Sequence, residues 1–310
     1  MIGFIFLIVE DFPSPNFQEV FTDIELHRGK CTIRHIELQE NPGGVPVLLL
    51  PGIGGFAETY LYNFSALAEA GYQPFAIDNV GFGKSMISPS FQFSPEVFSN
   101  AIGKWIEKQG IEDFFIGGNS FGGGVALGLW PLKKERIKGF ILISPAGFGK
   151  DVWFLYKLAS LPLINLLTVR MAINGGMKGM NGRNSWKPVV HDPYSLPEYI
   201  VEKNIYYRSR IETRPAYEYV LKEMMTFRGQ HPEVVQEIQN VAEEIKKENI
   251  PTFVIWGRND KVLPPKHAET AAELTGGKLV LIDECGHMPY LEHPQLVNDL
   301  IIDFLQETTR

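Results

Sequence analysis

The run Gly118-Asn119-Ser120-Phe121-Gly122 sets a serine in the spacing G-x-S-x-G. Glycines on either side let a strand turn straight into a helix, which strains the central residue and lifts its side chain into a cleft. A serine hydroxyl is a poor nucleophile unless a base removes its proton during attack. His287 is the candidate base: of seven histidines, it alone follows an apolar run at a glycine turn and precedes a final helical pattern. Asp260, in Trp256-Gly257-Arg258-Asn259-Asp260-Lys261, follows the preceding apolar run and can orient the imidazole. Asp151 is the alternative acid, while Asp283, nearer His287 in sequence, is expected to face elsewhere from a strand end. Leu50-Pro51-Gly52-Ile53-Gly54-Gly55 suits a loop that aims the N–H of Ile53, or of Gly54, at a developing oxyanion. The N–H of Phe121, at the positive end of the following helix, is the expected second donor. Taken singly, Asp260 reads as a turn or capping aspartate and the Leu50–Gly55 segment as a plain glycine turn. In combination they imply acyl transfer in two steps through an ester on Ser120.

Other chemistries fail on spacing. Gly83-Lys84-Ser85 suggests a phosphate loop, but the Walker pattern needs glycine where Asp78 stands. No H-E-x-x-H, paired-cysteine metal pattern or strand-linked G-x-G-x-x-G occurs, so nothing demands a metal or cofactor.

Alternating elements must position these residues. Phe21–Leu26 and Cys31–Leu38 read as an opening hairpin, and Val47–Leu50 as a strand covered on both faces. Strands over Gln73–Ile77, Asp113–Ile116 and Lys138–Ile143 alternate with helices over Glu58–Ala70, Ser94–Gln109 and Phe121–Trp130. From Gly149 to Ile250 the patterns turn mainly helical, as in Trp153–Leu161 and Pro232–Glu248, around a loop rich in Gly and Asn at Asn174–Asn184. Strands at Thr252–Trp256 and Lys278–Ile282 then resume, and a last helix covers Pro294–Leu305. The expected organisation is a core of residues 1–148 and 251–310, with residues 149–250 inserted as a helical cap.

The 310 residues, 45% hydrophobic and 21% charged, have the composition of an ordinary folded protein. With 29 basic against 36 acidic residues, the net charge of −7 argues against a general nucleic-acid partner. Two cysteines are too few for a disulfide framework and point to a reducing, cytoplasmic setting. Met1–Val9 is apolar but too short to span a bilayer, and it lacks a basic leader and cleavage site. It reads as a strand or a segment packed on the core, with weak membrane attachment or a cleft-covering flap as alternatives.

Taken together, these segments resemble the α/β-hydrolase superfamily in its lid-bearing branch, over about Phe21–Gly149 and Pro251–Leu305. Asp78–Ser85 is similar to the family's D-x-x-G-x-G-x-S, which shapes the cleft, and Gly286-His287-Met288-Pro289 with Glu292-His293-Pro294 looks like the catalytic-histidine segment of many esterases. The resemblance implies an α/β fold with a mostly parallel eight-stranded sheet, and a triad in the order Ser120, Asp260, His287. Pro51 stands where the family's oxyanion loop usually has histidine. Gly118-Asn119-Ser120 with Gly122-Gly123 looks like the carbon–carbon bond hydrolases of ring-fission diketones, but Met288 replaces the tryptophan those often carry after the histidine. A serine nucleophile sets aside the halide- and epoxide-opening relatives, which use aspartate.

The insertion holds Trp153, Phe154, Tyr156, Leu158, Tyr206, Tyr207 and five of the eight methionines. Most are expected to form its own core; those facing the cleft would make a pliable apolar wall. The expected substrate is a small-to-medium apolar ester. Arg214 could hold a carboxylate, though a surface arginine is the plainer reading. A carbon–carbon hydrolase, an aminopeptidase-like relative and a non-catalytic binding protein of the same fold are the alternatives.

Overall fold

The structure, a computed structural model, describes residues 16–40, 43–161, 164 and 182–309. Met1–Val9 and most of the Gly- and Asn-rich loop lie outside the described residues.

Strands β1 (Phe17–Leu26) and β2 (Gly29–Leu38) form the opening hairpin around His27 and Arg28. The first strand starts four residues earlier than its apolar run, because Phe17 packs edge-on against Phe64 at 5.7 Å. β3 (Val45–Leu50) sends Leu48 and Leu50 into one apolar core and Val47 and Leu49 into the other. Period-two alternation with both faces covered is what a central strand requires. A turn of 3-10 helix (Ala57–Tyr60) leads into α1 (Leu61–Glu69), followed by β4 (Tyr72–Ile77), the short β5 (Met86–Ile87) and α2 (Val97–Lys108). β6 (Phe114–Asn119) runs into α3 (Phe121–Leu127) with Ser120 as the only residue between them. β7 (Ile137–Ile143) closes the first half of the sheet.

Between β7 and the next sheet strand lie α4 (Phe154–Ala159), α5 (Glu198–Ser209), α6 (Arg214–Glu223), the hairpin β8 (Met225–Thr226) with β9 (Gly229–Gln230), and α7 (Pro232–Lys247). The hairpin is absent from the sequence reading. It exists because Gln230 docks onto the loop that follows β7: its N–H reaches Lys150 O at 2.8 Å, and its side chain bonds the backbone of Gly147 and Gly149 at 2.9 and 2.6 Å. Helix α7 packs against α3 and against α8 (Lys266–Thr275). β10 (Thr252–Gly257), β11 (Lys278–Ile282) and α9 (Pro294–Thr309) complete the chain.

The main sheet has nine strands: an eight-strand path β1-β2-β4-β3-β6-β7-β10-β11, with β5 paired to β2. From β4 to β11 neighbours run parallel, while β2 pairs antiparallel with β1, β4 and β5. Helices cover both faces, building one core around Trp105, Phe114, Phe140 and Trp256 and another around Phe64, Phe115, Phe253 and Phe304. Open parallel sheets gather sites beyond the carboxyl ends of their strands. Ser120, Ile53, Asp260 and His287 all follow such ends, after β6, β3, β10 and β11.

Candidate active site

Ser120 takes φ 56° and ψ −119°, a left-handed backbone rare for a residue with a side chain. Strain of this kind costs on the order of 1–3 kcal/mol and persists only where the surroundings enforce it. Here they do. Ser120 N donates to Ile143 O at 3.0 Å, and Ser120 O accepts from Gly123, Gly124 and Ala146 at 3.0, 3.3 and 2.9 Å. A Cβ on Gly122 would lie 2.2 Å from Leu50 O, and one on Gly118 2.4 Å from the Gly122 carbonyl carbon, so the sharp turn needs glycine at both.

His287 Nδ1 lies 2.7 Å from Asp260 Oδ2, with both side chains buried. The other aspartate oxygen accepts the N–H groups of Val262 and Leu263 at 2.8 and 3.0 Å, which locks the carboxylate against the ring. His287 Nε2 is buried with no hydrogen-bond partner among the described residues, and His287 lines the cavity that Ser120 also lines. The two other aspartates are engaged elsewhere: Asp151 pairs with Lys266 at 2.5 Å and Asp283 with Arg258 at 2.6 Å.

The loop after β3 brings Gly52 beside Ser120; a Cβ there would stand 3.3 Å from Ser120 Cβ. Gly54 has φ +64°, and a side chain on it would run into the Tyr217 hydroxyl. Among the described residues, the N–H groups of Ile53 and Phe121 donate to no protein acceptor. Pro51, in the place of the usual histidine, is held through its carbonyl by Asn79 Nδ2 at 2.8 Å.

Supporting residues escaped the sequence reading because their partners are remote. Asn119 bridges Ile143 O and His287 O at 3.2 and 2.8 Å, tying the serine turn to the histidine loop. Glu292 accepts from the N–H groups of Gly286, Met288 and His191 at 2.9, 3.3 and 2.6 Å, and Val189 O accepts from His287 N at 2.6 Å. The Glu-His-Pro triplet was the one available signal.

Under the oxyanion loop, fully buried Arg34 bonds both oxygens of Glu58 at 2.9 Å and Asp78 at 3.1 Å. Asp78 in turn accepts from Ala57 and Lys84 N–H at 2.7 and 2.8 Å, and Tyr207 of α5 donates to Glu58 at 2.6 Å. Burial, only partly offset by Arg34, pushes the Asp78 carboxyl up to about 6. Burial also opposes charge on Glu58, but Arg34 outweighs it and holds that carboxyl below the usual range.

The cleft has two lobes that meet at Ser120, Ile53, Tyr156 and Val262. One, of about 370 Å³, contains His287, Met288, Trp153, Trp186 and the polar side chains of Asn204 and Arg208. The other, of about 280 Å³, is lined by Phe121, Gly124, Val125 and a wall from α6 and α7. Arg214 borders the first lobe but is paired with Glu218 at 2.6 Å.

The fold matches what comparison finds: the family described as the alpha/beta hydrolase fold aligns with residues 45–294, and the chain belongs to it. It is 25% identical to Lipase 3 of Moraxella sp. over 257 residues, 82% of this chain and 75% of that protein. It is 26% identical over 275 residues to a 2-hydroxy-6-oxononadienedioate/2-hydroxy-6-oxononatrienedioate hydrolase of Comamonas testosteroni, covering 87% of this chain and 91% of that one. Among solved structures, a thermophilic esterase from Thermogutta terrifontis superposes with a TM-score of 0.71 at 19% identity, covering 94% and 99% of the two chains. Among the described residues, no helix is long and apolar enough to cross a membrane.

Proposed function

We propose that this hydrolase cleaves carboxylic esters of small-to-medium apolar substrates through an acyl-enzyme on Ser120. The observation that carries the reading is the strained Ser120 turn sharing a cavity with the Asp260–His287 pair. His287 Nε2 takes the hydroxyl proton as Ser120 Oγ attacks the carbonyl, with Asp260 holding the ring orientation. The Ile53 and Phe121 N–H groups hold the oxyanion, and His287 then gives the proton to the leaving alcohol. Water, deprotonated by the same imidazole, releases the acid. Residues 149–250 form the insertion that walls the cleft, on a core of residues 1–148 and 251–310. Two buried, unpaired cysteines, Cys31 and Cys285, support a cytoplasmic setting.

A second reading, hydrolysis of a carbon–carbon bond in a ring-fission diketone, draws support from Arg208. It borders the His287 lobe and makes no ion pair with a carboxylate among the described residues, which suits a carboxylate-bearing substrate. Rates on nitrophenyl esters and on a diketone panel, for wild type and Ser120→Ala, test both. Ester turnover lost in the variant supports the first reading; turnover of diketones alone supports the second. Equal rates in both proteins would sink the catalytic assignment of Ser120, and no turnover of either substrate class would leave a non-catalytic binding protein.

A further inference from the structure

The two sides of Ser120 are chemically unequal, and the proton-transfer step assigns the halves of the substrate to them. The departing group must receive its proton from His287, so it occupies the lobe that His287 and Met288 line. The acyl half then falls to the opposite lobe, which Ser120, Ile53 and Phe121 border and His287 does not. That lobe is walled by Val125, Val220, Met224, Ile238 and Val241 and runs from buried Ser120 out to exposed Pro131 and Leu132. Its roughly 280 Å³ is space for on the order of nine water-sized groups, at about 30 Å³ each, which is the scale of a medium acyl chain.

Gly124 gives an independent sign that the space is meant for a ligand. Three glycines open α3 after Phe121, and glycine is a poor helix former. Packing accounts for two: a Cβ on Gly122 would strike Leu50 O at 2.2 Å, and one on Gly123 would strike Pro145 Cβ at 2.8 Å. A Cβ on Gly124 would meet only Ile238 Cδ1, at an ordinary 3.8 Å, and its φ lies outside the left-handed region. Neither backbone nor neighbours require glycine there, yet the residue faces the lobe.

We infer that this lobe is a channel for medium-length apolar acyl chains, that it opens at Pro131 and Leu132, and that Gly124 keeps it clear. The assignment of halves rests on the ester reading above, through His287 as proton donor. The test compares kcat/KM for nitrophenyl esters from acetate to dodecanoate in wild type, Gly124→Leu and Val241→Phe. In parallel, calorimetry measures decanoate binding to Ser120→Ala with and without each of those two changes. The decanoate-to-acetate ratio of kcat/KM should fall by about ten-fold or more in either variant, because each methylene shut out loses its burial. If Gly124→Leu fails to melt cooperatively, Val241→Phe carries the test from the opposite wall. An unchanged ratio in the folded variants would overturn the channel. A wild type inert on every ester would sink the ester reading alone, provided decanoate still binds and either change weakens it; absence of decanoate binding would then overturn the channel as well.

Discussion

The lobes on either side of Ser120 are built by different means. The His287 lobe takes one wall from α5, which adds polar bonds to the apolar packing of its Ile200 and Val201: Tyr207 reaches Glu58, and Glu58 is held by Arg34. The opposite lobe takes a wall from α7, whose Ile238, Val241 and Ile245 join an apolar core cluster. Directional bonds hold α5 at one height over the oxyanion loop, whereas apolar packing is non-directional and tolerates changes of shape. The His287 side thus adds hydrogen bonds to its apolar packing, and the opposite wall relies on side-chain volume.

That contrast can be broken at several points. Asp260→Asn should lower kcat by about ten-thousand-fold, by analogy with the same change in a protease triad, for short and long esters alike. A loss confined to one chain length would mean that Asp260 shapes a lobe instead of orienting His287. Arg34→Leu leaves Glu58 and Asp78 buried without their cation, and should cost about 3–5 kcal/mol of stability in urea unfolding. Tyr207→Phe removes one donor from Glu58 and should cost about 1.5–3 kcal/mol, the range for a hydrogen bond to a charged group. If instead Tyr207→Phe is neutral, the Tyr207 bond does not hold α5, which is left with its packing and the Lys203–Glu58 pair at 3.9 Å, and the contrast between the lobes weakens. The smallest effect belongs to Gly124→Ala, whose methyl fits the space beside Ile238. It should stabilise the protein by about 0.5–1 kcal/mol, visible as a higher Tm.

Much of this site was legible in the sequence because its parts are local. G-x-S-x-G states its own turn, and glycines after β3 and β11 mark loops at strand ends. What escaped the reading depends on pairs far apart in the chain. Arg34 meets Glu58 across 24 positions, and Tyr207 meets Glu58 across 149. An arginine in a strand looks like any exposed cation until the fold buries it. Asn119 entered the reading only as part of a family likeness, although its side chain ties the serine turn to the histidine loop. The β8–β9 hairpin escaped because two-residue strands carry no periodicity; the buried contacts of Gln230 create it.

The central claim is that Ser120 is the nucleophile, and covalent labelling reads it most directly. Treatment with a fluorophosphonate followed by intact-mass and peptide analysis should give a single adduct on Ser120 in wild type, and none in Ser120→Ala. An adduct of equal yield in the variant, or one mapped to another serine such as Ser99 or Ser144, would contradict the account.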